Sequence, residues 1–427
     1  MRICMVTTFY PPYHFGGDAI FVQQLSNELA KRGHDVEVIH CKDSFDFMSG
    51  GGQAGVSQDH PNVHVHRLES PLGMLSPLGT HQTGRPLLKA ARLKEILEQN
   101  FDVIHYHNIS LVGGPDVLRY GQAVKLYTLH EYWLVCPTHM LFKYNSAPCL
   151  ERQCLPCTFY HKRPPQWWRY TGLVEESIKH VDLFLAPSAF SAQKHHELGL
   201  NLPIVELPYF SSRWATERIE AETVSDDPRY FLFVGRLEKI KGVQTLIPLF
   251  RRYEKAQLWI VGTGDYEAEL RRMAAECSNI IFLGHQSGDR LRMLFEGAIA
   301  TIVPSLWYEV FGIVILESLA RATPVIVRNI GGMPKIIAES GGGVTFDNDE
   351  QLLEAVDSLM ADPHLRRRLG QQGHAEFQQR WTADVHVPIY LSLIMRLLES
   401  GTRKAGNATR QQVQVDQDAR VTAGTVS

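Results

Sequence analysis

Several features are missing from this chain. No apolar stretch approaches the roughly 18 uninterrupted residues of a membrane-spanning helix, so the chain is expected not to cross a bilayer. Neither sign of charge is in excess: 43 Lys and Arg stand against 46 Asp and Glu, a formal net charge of -3. That balance lacks the basic surplus with which nucleic-acid binders neutralise phosphates, and no nucleic-acid partner is expected. The start of the chain has one charge and a short apolar run before Pro11-Pro12, unlike a secretory signal. Seven cysteines, an odd number, argue against a disulfide framework. A cytoplasmic location is the expectation, with peripheral contact to the cytoplasmic face of a membrane left open.

What is present is length and alternation. At about 100–200 residues per domain, 427 residues make two or three domains. Val- and Ile-rich runs alternate with helical periodicity almost throughout, the pattern of parallel sheets built from βαβ units. Strands are expected at Ile3–Thr7, Val36–His40, Val103–His107 and Lys125–Leu129, then at Tyr230–Val234, Leu258–Val261, Ala300–Val303 and Val325–Val327. The fold class is therefore α/β, with two Rossmann-like doubly wound domains facing a cleft. Residues 1–207 form the first, carrying a cysteine-rich irregular insertion at 136–165, and residues 208–385 the second. Stretches 42–62 and 70–86, rich in Gly, Pro and Ser, read as loops or lids, and 401–427 as a disordered tail.

Sheets of this kind bind ligands beyond the carboxyl ends of their strands. After Tyr230–Val234 come Gly235-Arg236 and Lys241-Gly242. A guanidinium fork, an ammonium and helix N–H groups together suit a diphosphate, although cations at such turns are more often merely solvated. After Ala300–Val303 comes Glu309-Val310-Phe311-Gly312-Ile313, with Glu317 inside the following helix. Gly312 permits close backbone approach, and the helix start offers N–H groups to an anion. Two carboxylates flanking that anion could hold hydroxyl-bearing groups on either side, as in a nucleotide-diphosphate sugar.

These residues resemble a known family. Glu309-x7-Glu317 with Phe311-Gly312, the upstream Gly235-Arg236 and Lys241-Gly242, and the early Gly16-Gly17 are similar to the retaining GT-B glycosyltransferases of the GT4 type, over roughly residues 1–400. The resemblance implies a glycosyltransferase that moves a sugar from a UDP or GDP sugar to a carbohydrate or lipid-linked carbohydrate acceptor with retention of configuration, in polysaccharide or glycoconjugate biosynthesis. It implies that Arg236 and Lys241 hold the diphosphate, Gly312 and Ile313 complete its cradle, Glu317 binds the ribose and Glu309 binds hydroxyls of the transferred sugar. Gly16 and Gly17 would approach the donor phosphate or the acceptor; Gly262 and His285 would lie near the base; His130 would contact the donor sugar. The family often has His-Asp where this chain has His130-Glu131. A crossover helix back onto the first domain is implied at 386–400. No cofactor is required for the chemistry.

Other features stay outside that resemblance. His105 and His107 are placed on opposite faces of their strand, with His107 a candidate for the acceptor pocket. Cys136-x12-Cys149-x4-Cys154-x2-Cys157 could close a structural zinc site; unligated thiols, an iron–sulfur cluster or a disulfide are alternatives. Residues 161–170, with Trp167, Trp168 and Arg169, suit a membrane interface, a carbohydrate-stacking surface or a helix start with packed Trp. Rival readings of the whole chain are a nucleotide-sugar epimerase, a dinucleotide oxidoreductase and a metal-stapled scaffold. The oxidoreductase is weakened because the first helix opens on Gly16-Gly17-Asp18-Ala19 rather than Gly-x-Gly-x-x-Gly.

Overall fold

The structure, a computed structural model, describes residues 1–50, 58–214 and 230–404. The first domain contains β1 (Arg2–Val6), β2 (Asp35–Cys41), β3 (Val63–Leu68), β4 (Val103–Tyr106), β5 (Val124–Thr128), a small hairpin of β6 (Phe142–Lys143) and β7 (Ala147–Pro148), β8 (Leu183–Ala186) and β9 (Ile204–Glu206). Apart from the hairpin they form one sheet, ordered β3-β2-β1-β4-β5-β8-β9. The second domain contains β10 (Tyr230–Val234), β11 (Gln257–Val261), β12 (Ile280–Gly284), β13 (Thr301–Val303), β14 (Val325–Arg328) and β15 (Gly343–Phe346), ordered β12-β11-β10-β13-β14-β15. Neighbouring strands of both sheets run parallel, with Met5 opposite Val38 and His105, for example. Ile3, Cys4, Met5 and Val6 are all fully buried, as a strand covered on both faces requires.

Helices cover the sheets because their apolar residues fall on one stripe. In Gly17–Lys31, Phe21, Val22, Leu25 and Leu29 are buried, and Gly33 ends the turn at φ +83°. In both sheets the chain reverses its direction of strand addition between the first and fourth strands, here β1/β4 and β10/β13. These switch points are where an open α/β sheet leaves a crevice.

The domains are tied by two segments. The linker buries Tyr209 and Phe210; the Tyr209 ring packs at 4.5 Å from Phe21 of the first domain and 5.3 Å from Phe311 of the second. The last helix, Ala383–Lys404, returns to the first domain, where Tyr390 meets His105 at 2.9 Å and Asp384 pairs with Arg32. It starts ahead of residue 386 and continues past 400, so residues 401–404 are helical rather than tail. The rest of the expected tail lies outside the described residues. Among the described residues, no helix is long and apolar enough to cross a membrane.

Two stretches expected to be loops contain helices. Lys42–Ser49 is helical because Phe45 is buried beneath it and Gly50 ends it in the left-handed region at φ +63°; Leu75–Thr83 ends likewise on Gly84. The 136–165 insertion is likewise less irregular than expected, since it contains the hairpin and the helix Cys154–Tyr160.

Candidate active site

The second domain's switch point joins two loops. The loop after β10 carries Arg236, whose guanidinium meets Glu238 at 2.9 Å and whose side chain is half exposed. It ends at Gly242, φ +78°, where a Cβ would stand 2.0 Å from the Pro304 carbonyl oxygen. Only glycine allows the two loops to approach so closely, and that approach brings Lys241 to Glu309: Nζ lies 2.6 Å from Oε1. The same carboxylate oxygen accepts from Ser305 Oγ at 2.9 Å, and the Lys241 ammonium lies 5.3 Å from the Trp307 ring centre. Burial pushes the Glu309 carboxyl upward, but the Lys241 charge and these hydrogen bonds hold it below the ordinary range. From behind, Gly332 N–H donates to the Glu309 carbonyl at 2.8 Å.

Gly312, at φ +108°, precedes the helix Ile313–Ala320. Its first N–H groups have no carbonyl one turn earlier to accept from them. One turn on, Glu317 accepts from Arg213 Nη1 of the linker at 2.8 Å; burial raises its carboxyl above the ordinary range and Arg213 opposes the rise. Across the cleft, a Cβ on Gly17 would meet Ile313 Cδ1 at 3.3 Å. Gly16 and Gly17 thus open the first domain's first helix against the start of Ile313–Ala320. The structure gathers Gly17, Arg236, Lys241, Glu309, Gly312, Ile313 and Glu317 around one switch point.

Other expected residues sit differently. Gly262, φ +133°, packs onto the neighbouring loop: a Cβ would lie 1.9 Å from the Gly235 oxygen. Its demand for glycine is met by backbone packing alone. His285 is exposed on the loop after β12, on the side of the cleft where it acts on His14. His130 is buried, its Nε2 bonded to His107 Nδ1 at 2.8 Å and its Nδ1 to the Tyr209 hydroxyl. Burial lowers its pKa to about 4, so the ring is neutral and both nitrogens are engaged within the protein. Glu131 turns to His139 at 3.3 Å.

His105 and His107 do not face opposite ways. Residues two apart on a strand share a face, and their rings lie 4.0 Å apart. His107 is fully enclosed, bonded to His130 and against Met5 Sδ, and does not line an open pocket. In the aromatic segment, Trp168 is 5% exposed and donates to the His81 carbonyl, whereas Trp167 is 59% exposed. The four cysteines of the insertion line one small hollow, but as placed no group of three or more His, Cys, Asp or Glu side chains among the described residues is set to hold an ion. Arg213, Ser305 and the brace behind Glu309, made by Gly332 and by Gly331, where a Cβ would stand 2.5 Å from the Glu309 carbonyl oxygen, were not expected. Arg213 sits in a linker without motif, and only the glycine pair carried a signal.

The chain matches known glycosyltransferases along both domains. Residues 15–208 match Glycosyltransferase Family 4 and residues 215–376 match Glycosyl transferases group 1. The chain is 26% identical over 412 residues to a glycosyltransferase of Methanocaldococcus jannaschii, covering 90% of this chain and 95% of that one. It is 26% identical over 424 residues to O-antigen chain mannosyltransferase C of Escherichia coli, covering 94% and 100%. It is 28% identical over 414 residues to glycogen synthase of Mycobacterium tuberculosis, covering 90% and 91%. Among solved structures, sucrose-phosphate synthase from Thermosynechococcus elongatus superposes with a TM-score of 0.73 at 21% identity, over 94% of this chain and 100% of that one. HepE of Anabaena, solved with UDP-glucose, gives 0.62 at 16% identity, over 95% and 100%.

Two parallel-sheet, Rossmann-like domains joined by a linker and a returning helix define the GT-B fold. The chain belongs to the group 1, GT4-type glycosyltransferases and is an enzyme of that class. Nothing in these comparisons favours the epimerase.

Proposed function

We propose that the chain transfers a sugar from a UDP or GDP sugar to a hydroxyl of a carbohydrate or lipid-linked carbohydrate, with retention of configuration, in cytoplasmic polysaccharide or glycoconjugate synthesis. The observation that carries this reading is the 2.6 Å Lys241–Glu309 pair beside the start of Ile313–Ala320. A donor diphosphate would draw Lys241 onto its oxygens while Arg236 left Glu238 to take it in a fork, with the N–H groups of Gly312 and Ile313 completing the cradle. These groups would offset the charge growing on the leaving phosphate. Glu309, released from Lys241, would accept from hydroxyls of the transferred sugar, and Glu317 from the ribose. HepE, which shares this fold, was solved with UDP and with UDP-glucose, which supports a nucleoside-diphosphate donor.

Retention is what the GT4-type resemblance implies, and it allows either two displacements through an enzyme carboxylate or one substitution on a single face. Glu309 is assigned to hydroxyls of the transferred sugar and no other carboxylate is assigned to the reacting carbon, so the acceptor is taken to attack from the face the diphosphate leaves, with a phosphate oxygen accepting its proton. His130, its ring nitrogens already bound, would act by shaping the sugar pocket and excluding water. A thermal-shift panel of UDP, GDP and ADP sugars tests the donor: one UDP or GDP sugar should raise the melting temperature, and no response to any would overturn the reading. NMR of the first-formed product tests stereochemistry, and an inverted anomer would overturn retention.

A further inference from the structure

The cysteines between β5 and β8 take part in no step of sugar transfer, yet three separate pieces of chain bring them together. Cys136 ends a tight turn, its N–H donating to the Tyr132 carbonyl at 2.7 Å and its carbonyl accepting from His139 N–H at 3.0 Å. Cys149 follows the hairpin directly, anchored by its N–H to the Leu141 carbonyl at 2.7 Å. Cys154 and Cys157 open the helix Cys154–Tyr160, and at i,i+3 they share one of its faces. All four line the same hollow, and none is in a disulfide. Cys136 and Cys157 are buried, while Cys149 and Cys154 are half-buried.

The surroundings suit concentrated negative charge. Arg169 gives its hydrogen bonds to the carbonyls of Trp133 and Leu134 and to the Gln166 side-chain oxygen, all uncharged acceptors. Burial pushes its guanidinium down to about 10, and the groups that oppose this most are Cys136 and Cys154. Arg163, also pushed down by burial, has Glu131 and then Cys136 as the groups that resist the shift. A divalent ion held by four thiolates carries a net charge of about -2, and two nearby guanidiniums would balance it.

We propose that Cys136, Cys149, Cys154 and Cys157 bind one structural zinc ion through sulfur. Four thiolates are the ligand set of a tetrahedral zinc ion; an iron–sulfur cluster uses the same set and is told apart by its iron and acid-labile sulfide. Four protein ligands leave no open position, so the site is structural. As placed, the thiols are not closed to ligand spacing; the ion draws in Cys149 and Cys154, the two with exposed sides, toward the buried pair. Thr138, whose hydroxyl lies 3.3 Å from Cys136 Sγ, orients that ligand.

The test uses the untagged full-length chain, purified without chelators from cells grown with zinc. Elemental analysis should find about one zinc per chain. Cys154→Ser and Cys157→Ser should each lower that ratio severalfold, while Cys277→Ser, in the second domain, leaves it unchanged. Because a serine variant that unfolds would lose metal trivially, the wild-type chain grown with cobalt is the second reading: it should show thiolate-to-cobalt charge-transfer bands and the strong d–d absorption of a tetrahedral four-sulfur site. Folded wild-type protein with less than about a tenth of an equivalent of zinc, cobalt bound without sulfur bands, iron with acid-labile sulfide, or zinc retained when both Cys154 and Cys157 are serine would each overturn the proposal.

Discussion

Lys241 and Glu309 pair in a place where either charge alone would be costly. Their side chains are 22% and 10% exposed, and removing one partner of such a pair strands the other. Lys241→Ala should therefore lower turnover about a hundredfold, the scale of losing one positioned donor, and also lower stability by about 3 kcal/mol. Adding Glu309→Gln should restore much of the stability and none of the activity, as urea unfolding and steady-state rates would show. Full activity in Lys241→Ala would refute the assignment of Lys241. Arg236 differs because its pair with Glu238 is solvent-exposed and worth little. Arg236→Ala should leave the urea midpoint in place while cutting turnover by a similar factor; an equal loss of stability would contradict this account.

At the scale of elements, glycine decides how the site closes. Gly242→Ala would force a Cβ to 2.0 Å from the Pro304 oxygen at a φ of +78°, separating the loops that carry Lys241 and Glu309. Its cost should reach about 2 kcal/mol or more, with donor-induced thermal stabilisation lost; a variant that still responds to donor would show that the close approach is dispensable. The expected strands that bound the sites, such as Tyr230–Val234, were legible because a doubly covered parallel strand is a continuous apolar run. The motif residues were legible because they follow those runs directly. Lys42–Ser49 and Leu75–Thr83 were not, since helices of eight and nine residues owe their order to what they pack on. β15 lay hidden behind Gly341-Gly342-Gly343, which reads as a turn. Arg213 reaches Glu317 from a linker that only the fold brings near, and no spacing along the chain could have announced it.

At the scale of the molecule, buried neutral histidines run through the first domain and its contacts. Burial lowers His40, His130, His195 and His386 each to about 4, below the unfolded value of about 6.5. The fold therefore binds fewer protons than the unfolded chain between those values. Stability should be fully present above about pH 6.5 and fall as pH drops toward 4, each group adding up to about 1.4 kcal/mol per pH unit. Urea midpoints measured from pH 8 to 4.5 would reveal it, and a flat profile down to pH 5 would refute it. His386 and Tyr390 place part of this sensitivity on the helix that spans the two domains: His386 bonds the Pro208 carbonyl at 2.8 Å and Tyr390 bonds His105.

The Arg213–Glu317 pair has a consequence for how the halves of the enzyme communicate. Arg213 holds Glu317 through Oε1 alone, and a carboxylate has a second oxygen to offer, so on the proposed function the linker and the ribose would share one carboxylate. Contacts that meet on one side chain are thermodynamically reciprocal: a ribose that strengthens or weakens the ion pair would be felt, to the same degree, by the strap between both domains.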